Sequence, residues 1–436
     1  MPTVVADSRS VLFWPALRWA LLFVAAVALN ASGRARRCSA EDHPPAPIFD
    51  ASSMGFHAGQ FTDKKNQKVS AGTVEAIDDA KFGKAMKLSF PEGASGGFIM
   101  ASIPSTAGWD RAAGFSLWIK GDGSSHWGGI ELIDKNNFGL RYAYCFPIDS
   151  HAWRKIDVAW SDLLPELAGP LIGVKGGYDP SGFGYLAFGK WFFWRDYPAE
   201  SYTVGPIALA SKIETLAIPP IESGLKRVAA KFRAHQPVTI VTMGDSLSDP
   251  HHWSNRPTLW SELLVKEIKD RYKSIATLVN PAIGGTTLSQ NTILMPRWSP
   301  DAPAPDLVTV WFGGNDWDSN VRGPRFAEYL RVAVDRIRRQ THGSADILLM
   351  TTLPSRSRWE TTRELERAVR EVAAEKKTGF LDIAAEFRKA PSADAAAKRQ
   401  YWGWDNVHLG QKGHEIVAAA VLKALEDNAM APARDP

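Results

Sequence analysis

The chain of 436 residues is long enough for two or three domains. Its apolar fraction of 45% and its charged fraction of 22% are ordinary for globular proteins and argue against a wholly disordered chain. Residues 1–40 contain five of the 51 Lys and Arg residues but only one of the 47 Asp and Glu residues. The remainder carries 46 of each and no net charge, so nothing in the charge balance favours binding to nucleic acid.

The first 40 residues have the layout of a secretory signal peptide. Arg9 and Arg18 precede an apolar run over 19–29, and small and polar residues follow up to Ala40. The apolar run is shorter than the about 20 residues that a membrane-spanning helix needs. We therefore predict cleavage near Ala40, no membrane span after it, and a secreted or periplasmic protein. An uncleaved anchor is the alternative.

Residues 48–216 have the pattern of a β-sheet domain. Short segments such as 115–120 and 154–158 alternate apolar with polar side chains, and Gly121-Asp122-Gly123 is a typical turn sequence between them. We predict an all-β jelly roll or sandwich for this region.

A linker is predicted over 217–236, and the pattern changes after it. Over 237–428, apolar strands alternate with amphipathic helices, which predicts a parallel sheet covered on both faces. The predicted strands are 238–242, 276–280, 307–311, 347–351 and 379–383, and the predicted helices lie near 257–271, 325–340, 362–376 and 411–427.

The sequence Gly244-Asp245-Ser246 directly follows the first of these strands. In open α/β sheets, ligands bind at the carboxyl edge of the strands. A serine there lies beside free backbone N–H groups that favour developing negative charge. The alternative is that Ser246 only caps a helix, as serine often does. A catalytic serine would also need a base and a group that orients the base.

Asp405 and His408 offer that base and that orienting group. Because they are three residues apart, both side chains can share one turn, so that the carboxylate holds one imidazole nitrogen and the other faces Ser246. Asp-x-x-His also occurs in ordinary solvated turns. His251 and His252 are less suitable as the base, because they directly follow the loop of the serine.

Two loops after later strands offer hydrogen-bond donors. Gly284-Gly285 can bring backbone N–H groups close to a substrate, and Asn315 offers a side-chain amide after Gly313-Gly314. Acyl transfer needs such donors for the oxyanion of its tetrahedral intermediate. Each loop taken alone is equally compatible with an ordinary connection.

Together these segments resemble the four sequence blocks of the GDSL/SGNH hydrolases. Gly244-Asp245-Ser246-Leu247, the glycine at 285, Gly313-Gly314-Asn315-Asp316 and the pair Asp405 and His408 follow one another in the order of that family. The resemblance covers roughly residues 237–428. It implies a three-layer α/β/α fold with a five-stranded parallel sheet.

The resemblance also implies a role for each residue of the site. The implied catalytic residues are Ser246 as the nucleophile, His408 as the general base and then acid, and Asp405 as its orienting partner. The implied oxyanion donors are the backbone N–H groups of Ser246 and Gly285 and the amide of Asn315, with Gly284 as the alternative to Gly285. No metal ion and no organic cofactor is implied.

Tryptophans are the remaining feature of interest. The β-sheet region resembles, more weakly, the jelly-roll carbohydrate-binding-like modules that are often joined to carbohydrate esterases, and its segment 190–195 is the best candidate for an aromatic platform. Tryptophan rings stack on sugars, but they also fill cores. Four tryptophans near the motifs either wall a substrate pocket or cover the edge of the core: Trp253, Trp317, Trp402 and Trp404.

We therefore expect an exported serine esterase that removes acetyl or other small acyl groups, with a carbohydrate as the expected carrier. Its partner would be an acylated small molecule or glycan, cleaved through an acyl-enzyme. The alternatives are a lipase or lysophospholipase, an acyltransferase, and a glycan-binding protein with an inactive hydrolase-like domain.

Overall fold

A computed structural model describes most of the chain after the N-terminal segment. The predicted signal peptide over 1–40 and residues 191–195 of the predicted aromatic platform lie outside the described residues. The described residues are 47–49, 55–62, 67–93, 98–190, 198–218, 221, 224–299, 301–302, 304–353, 362–389 and 400–430.

The N-terminal region is built from antiparallel strands. Its strands are β1 (Pro47–Phe49), β2 (His57–Ala58), β3 (Gln60–Thr62), β4 (Lys68–Ser70), β5 (Thr73–Asp79), β6 (Gly83–Phe90), β7 (Phe98–Ser102), β8 (Gly114–Gly121), β9 (Trp127–Asp134), β10 (Arg141–Pro147), β11 (Arg154–Ala159), β12 (Leu164–Pro165), β13 (Phe183–Lys190) and β14 (Glu200–Ala210). One sheet has the order β11-β8-β14-β6-β5 with β1 against β14, and the other has the order β12-β10-β9-β13-β7-β2. The prediction of an all-β sandwich is confirmed.

The alternating side chains of β8 show why these segments form a sandwich. Phe115, Leu117 and Ile119 are buried and belong to the hydrophobic cluster between the two sheets. Successive residues of a strand point to opposite faces, so this alternation directs one apolar face inward.

The C-terminal region alternates strands with helices. Its strands are β15 (Val238–Gly244), β16 (Ala276–Val279), β17 (Leu307–Trp311), β18 (Asp346–Met350) and β19 (Gly379–Leu381). Its helices are α1 (Lys226–Arg233), α2 (Trp260–Tyr272), α3 (Leu288–Ile293), α4 (Gly314–Asp318), α5 (Gly323–Gln340), α6 (Arg363–Lys376), α7 (Ile383–Arg388) and α8 (Gln411–Met430). The strands form one parallel five-stranded sheet in the order β16-β15-β17-β18-β19, as predicted.

Burial explains the composition of this sheet. All five residues of β17 are buried, because helices cover both faces of the sheet with a hydrophobic cluster on each. Residues 226–233 of the predicted linker form α1, whose Val228 and Phe232 are buried in one of these clusters. Within the part of the chain that the structure describes, no helix is both long and apolar enough to cross a membrane.

The sandwich packs directly on the α/β region through the outer face of one sheet. Cys145 of β10 shares a buried cluster with Ile293 of α3, and its Sγ lies 3.0 Å from the Ile293 carbonyl oxygen. Ser289 of α3 donates a hydrogen bond of 2.5 Å to the carbonyl of Pro165 in β12. Residues Pro45–Pro436 accordingly form one compact unit.

Candidate active site

Ser246 lies in a tight turn at the carboxyl end of β15. A Cβ at Gly244 would come within 2.6 Å of Ser248 Oγ, so only glycine fits where the chain leaves the strand. The Asp245 carboxylate accepts a hydrogen bond of 3.0 Å from the backbone N–H of Leu247. These contacts fix the turn that carries Ser246 at the edge where ligands bind in such sheets.

The structure brings Ser246, His408 and Asp405 into one hydrogen-bonded chain. His408 Nε2 lies 2.9 Å from Ser246 Oγ, and His408 Nδ1 lies 2.5 Å from Asp405 Oδ2. Because a carboxylate only accepts hydrogen bonds, this contact requires the proton on Nδ1. Nε2 is then free to accept a proton from the serine hydroxyl.

The carboxylate of Asp405 is held in its ionised form. Burial opposes ionisation, but hydrogen bonds from the His408 ring and from the backbone N–H groups of His408 and Val407 outweigh it and lower the pKa of Asp405. Both N–H groups donate to Asp405 Oδ1 at 3.0 Å. The negative charge therefore stays beside the imidazole, where it stabilises a protonated His408.

The two predicted donor loops face the same cavity. This cavity has a volume of about 520 Å³, and Ser246, His408, Gly285 and Asn315 all line it. The Asn315 amide donates to the Thr286 carbonyl at 3.0 Å, so its side chain is held in place. The geometry thus gathers donors from two loops around the serine.

The neighbouring N–H groups of Gly284 and Gly285 differ in their partners. The Gly284 N–H donates to Asp249 Oδ2 at 2.8 Å, so it is already engaged. Gly285 has a φ of +79°, a conformation that favours glycine, and it is exposed to the cavity. This difference favours Gly285 over Gly284 as the donor to a ligand.

Asp249 and Asn255 are two residues of the site that sequence reasoning missed. Asp249 accepts the hydrogen bond from Gly284 and another of 2.7 Å from the backbone N–H of His251. The Asn255 amide donates to the carbonyls of Ser246 and Asp249 at 2.8 and 2.7 Å. Asp249 thereby ties the serine loop to the glycine loop, which is distant in sequence, and Asn255 braces the serine loop. No local sequence pattern predicts these contacts.

Trp253 lines the cavity, and the ring of Trp404 packs on the ring of Trp253. Their rings stack with centroids 5.4 Å apart, and they are 49% and 77% exposed. The Trp253 ring also meets the His408 ring edge-on, with centroids 5.6 Å apart. Large exposed apolar rings beside a cavity are typical of a ligand-binding surface.

Trp402 and Trp317 do not share this arrangement. Trp402 is only 6% exposed and packs against Phe387 in the hydrophobic core, with ring centroids 5.3 Å apart. Its assignment to the substrate pocket is therefore corrected, because its ring faces the core. Trp317 is partly buried against the other cluster and lies under the Arg322 guanidinium at 3.9 Å.

His252 packs against His408, and sequence reasoning set it aside. The two rings are tilted against each other, with centroids 4.2 Å apart and an interplanar angle of 31°. Burial lowers the pKa of His252, and positive charge on His408 lowers it further. His252 Nδ1 lies 2.7 Å from Ser254 Oγ, so this imidazole is anchored away from the serine at 246.

Asp316 is a buried carboxylic acid behind the site. It is fully buried, and its two oxygens accept from the backbone N–H of Leu288, at the start of α3, at 3.1 and 3.3 Å. Burial raises its pKa to about 7, although these hydrogen bonds lower it, and the charge of Asp245 raises it further. Between about pH 4 and pH 7 the folded protein therefore holds a proton that the unfolded chain has released.

This proton makes stability depend on pH. The unfolding free energy is expected to fall as the pH rises from about 4, where an unfolded aspartate ionises, to about 7. In Asp316→Asn the decline should be smaller, because an amide stays uncharged. At about pH 8 the variant should be more stable than the wild type by on the order of 1–3 kcal/mol. Urea denaturation at both ends of this range measures the difference, and an equally pH-sensitive variant would contradict the assignment.

Among the described residues, no group of three or more His, Cys, Asp or Glu side chains is placed to hold a metal ion. The chemistry that the site can perform with its own groups is proton transfer and nucleophilic attack by a serine.

Comparisons with known proteins match part of the chain to one family model. Residues 242–416 match the model of the GDSL-like Lipase/Acylhydrolase family. Similar solved structures include an acetyl xylan esterase from Geobacillus stearothermophilus, which is 24% identical, with 43% of this chain and 94% of that chain covered and a TM-score of 0.36. No curated protein sequence matches the chain significantly.

Two further solved structures are similar to the chain. The protein YXIM from Bacillus subtilis is 15% identical, with 88% of this chain and 93% of that chain covered and a TM-score of 0.39. A family 11 carbohydrate-binding module from a cellulosomal cellulase of Clostridium thermocellum is 18% identical. The similarity covers 37% of this chain and 89% of that chain, with a TM-score of 0.28.

The family match begins in β15, before the serine turn, and ends within α8, so it spans all the motifs that carry the resemblance. The part of the α/β region over 242–416 therefore matches a family of acylhydrolases, and the protein is a carboxylic ester hydrolase.

Proposed function

We propose that this protein is an exported serine esterase that removes acetyl or other short acyl groups from a carbohydrate. The observation that carries the catalytic part is the hydrogen-bonded chain from Ser246 Oγ through His408 to Asp405. Two observations support the carbohydrate part. The β-sandwich packs on the α/β region, and the stacked rings of Trp253 and Trp404 are exposed.

Acylation begins with the hydroxyl of Ser246. Its Oγ attacks the carbonyl carbon of the ester while His408 Nε2 takes the hydroxyl proton, which gives a tetrahedral oxyanion and an imidazolium. The intermediate collapses, the bond to the alcohol oxygen breaks, and the alcohol leaves with the proton from His408. The Asp405 carboxylate stabilises the imidazolium at 2.5 Å throughout.

Deacylation repeats these steps with water. His408 takes a proton from water, whose oxygen attacks the acyl carbon, and the proton then returns to Ser246 Oγ as the acid leaves. In both steps the oxyanion would accept hydrogen bonds from the N–H groups of Ser246 and Gly285 and from the Asn315 amide. Such donors are each worth about 10²–10³ in rate.

The lining of the cavity supports a short acyl group. Asp249, His251, His252 and Asn315 contribute polar groups to its wall, and the rings and chains of Trp253 and Ile283 contribute an apolar part too short for a long hydrocarbon chain. A long hydrocarbon chain gains free energy only when apolar surface replaces water around it. A wall of this kind therefore favours acetyl over a fatty acyl chain.

Hydrolysis of p-nitrophenyl esters of increasing chain length tests the proposal. Purified residues 41–436 are expected to cleave the acetate with the highest kcat/KM, with a decline towards the octanoate. A maximum at the octanoate or beyond would favour a lipase. Binding of glycans without cleavage of any of these esters would favour a glycan-binding protein.

Export is supported by the layout of the first 40 residues alone. Expression of the full chain in a bacterium with a secretion pathway should yield a protein in the periplasm or medium whose N-terminus lies near residue 41. A full-length protein retained in the membrane fraction would instead identify the segment as an anchor.

Asp249 is expected to act through the loop that it holds. Asp249→Ala should lower kcat for p-nitrophenyl acetate by about 10–10²-fold with a smaller change in KM, because it frees the N–H of Gly284 and displaces Gly285. Asp249→Asn keeps one acceptor oxygen and should lose less. An unchanged kcat in Asp249→Ala would contradict this role.

A further inference from the structure

A second cavity lies between the sandwich and the α/β region. Its volume is about 240 Å³, and Ser125 and Trp127 line it from the sandwich, at and just before the start of β9. Trp298 and Asp301 line it from the α/β region. We call this space the interdomain cleft.

The interdomain cleft adjoins the cavity of the candidate active site. Ile283 lines both, and it directly precedes Gly284 and Gly285. A substrate whose ester lies at Ser246 can therefore extend past Ile283 into the cleft. The two spaces therefore lie on either side of one residue, and together they offer more room than an acetyl group needs.

The walls of the cleft combine aromatic rings with polar groups of both charges. Trp127 is partly buried and Trp298 is 3% exposed, while Arg297 and Asp301 bring opposite charges. The indole N–H of Trp298 is buried and has no hydrogen-bond partner within the described ranges. Because this N–H is closed to solvent, the side chains of Arg297 and Asp301 are the groups that pair with the hydroxyl groups of a ligand.

This combination matches one class of ligand. A sugar ring has apolar C–H faces that stack on aromatic rings, and hydroxyl groups around its edge that pair with charged and amide side chains. The cleft is smaller than the about 300–1,000 Å³ of sites for drug-sized ligands. Its size therefore suits a single ring, and its charged walls do not suit a lipid chain.

The cleft is also pre-organised by the contact between the two regions. Pro165 of the sandwich accepts the hydrogen bond from Ser289, and Cys145 packs on Ile293, so the sandwich is fixed against the helix that follows the glycine loop. When the side chains of a site are already ordered before the ligand binds, less conformational entropy is lost on binding. Trp127 thus stands at a defined position relative to the reacting ester.

We propose that the interdomain cleft binds a sugar unit of the esterified glycan, next to the unit that carries the ester. The sandwich then contributes to substrate selection at the active site through Trp127. This inference rests on the proposed esterase function, and it names an oligosaccharide as the substrate class of that site.

The test compares a short with a long substrate. Singly acetylated xylose and xylotetraose, and the corresponding glucose and cellotetraose esters, are each given to the wild type, to Trp127→Ala and to Ser125→Phe. The second variant fills the cleft from an exposed position without removing a ring. Trp153→Ala is the matched control, because Trp153 is another partly buried sandwich tryptophan, which packs on Phe82 away from the cleft.

The wild type is expected to cleave at least one acetylated tetrasaccharide with a kcat/KM about tenfold or more above that for its monosaccharide. Both cleft variants should lose this preference, mainly through a higher KM, and should keep the wild-type rate on p-nitrophenyl acetate. Trp153→Ala should keep the preference.

Other outcomes would overturn the proposal. A wild type without any chain-length preference, or cleft variants that keep it, would remove the cleft from substrate binding even if p-nitrophenyl acetate is still cleaved. An equal loss on all substrates in both cleft variants would indicate a structural role for these residues. A wild type that cleaves no ester at all would instead refute the underlying esterase function.

Discussion

Replacement of Ser246 by alanine is expected to reduce kcat/KM for p-nitrophenyl acetate by about 10³-fold or more. Its hydroxyl oxygen is the atom that would bond to the acyl carbon, and it lies 2.9 Å from the base that would take its proton. Alanine removes the nucleophile and leaves the cavity otherwise intact. The oxyanion donors then account for any residual rate.

A nearby serine provides the control for this substitution. Ser248 lies two residues further on, and its Oγ accepts a hydrogen bond of 3.1 Å from Trp260 Nε1. Ser248→Ala should therefore affect stability, and its kcat/KM should stay within about tenfold of the wild type. Equal activity of Ser246→Ala and the wild type would exclude Ser246 as the nucleophile.

Replacement of His408 by alanine is expected to have an effect of similar size, about 10³-fold or more in kcat/KM. Without the imidazole, nothing accepts the proton of Ser246 Oγ or returns it to the leaving alcohol. His252→Ala is the matched control, because its ring lies beside His408 but is anchored to Ser254. It should lose much less activity.

The double variant distinguishes a joint mechanism from two independent effects. When two residues act as one unit, removing the second costs little after the first is gone. Ser246→Ala combined with His408→Ala should therefore be about as active as either single variant. A loss equal to the product of the two single losses would contradict the hydrogen-bonded chain as the working unit.

The fold class could be predicted because each region has its own periodicity. The alternation of Phe115, Leu117 and Ile119 marks a half-buried strand, and the largely apolar strand around Val308 and Val310 marks a sheet covered on both faces. These patterns depend on local geometry, so the sequence alone contains them. The family motifs then predicted which residues form the catalytic site.

Whether each tryptophan is buried or exposed could not be predicted from the sequence. Trp402 and Trp404 are two residues apart in one segment, yet the first packs on Phe387 in the core and the second is 77% exposed. The difference arises from the helices that happen to approach this segment, and no local pattern encodes it. Aromatic residues suit both environments equally.

Contacts between loops that are distant in the sequence could not be predicted either. Asp249 meets the N–H of Gly284, and Asp316 meets that of Leu288, through pairings set by the sheet order. Trp127 and Ile283 line the same cleft, and this too depends on how the sandwich packs. Such contacts follow from tertiary structure, which the linear spacing of the motifs does not contain.

Covalent labelling with a fluorophosphonate tests the central claim most directly, because such a reagent bonds to an activated serine and mimics the tetrahedral intermediate. Peptide mass spectrometry of the labelled protein should find one adduct on Ser246, together with complete loss of esterase activity, and His408→Ala should label far more slowly. Inactivation with the adduct on another residue, or full activity with Ser246 labelled, would contradict the assignment of Ser246 as the nucleophile.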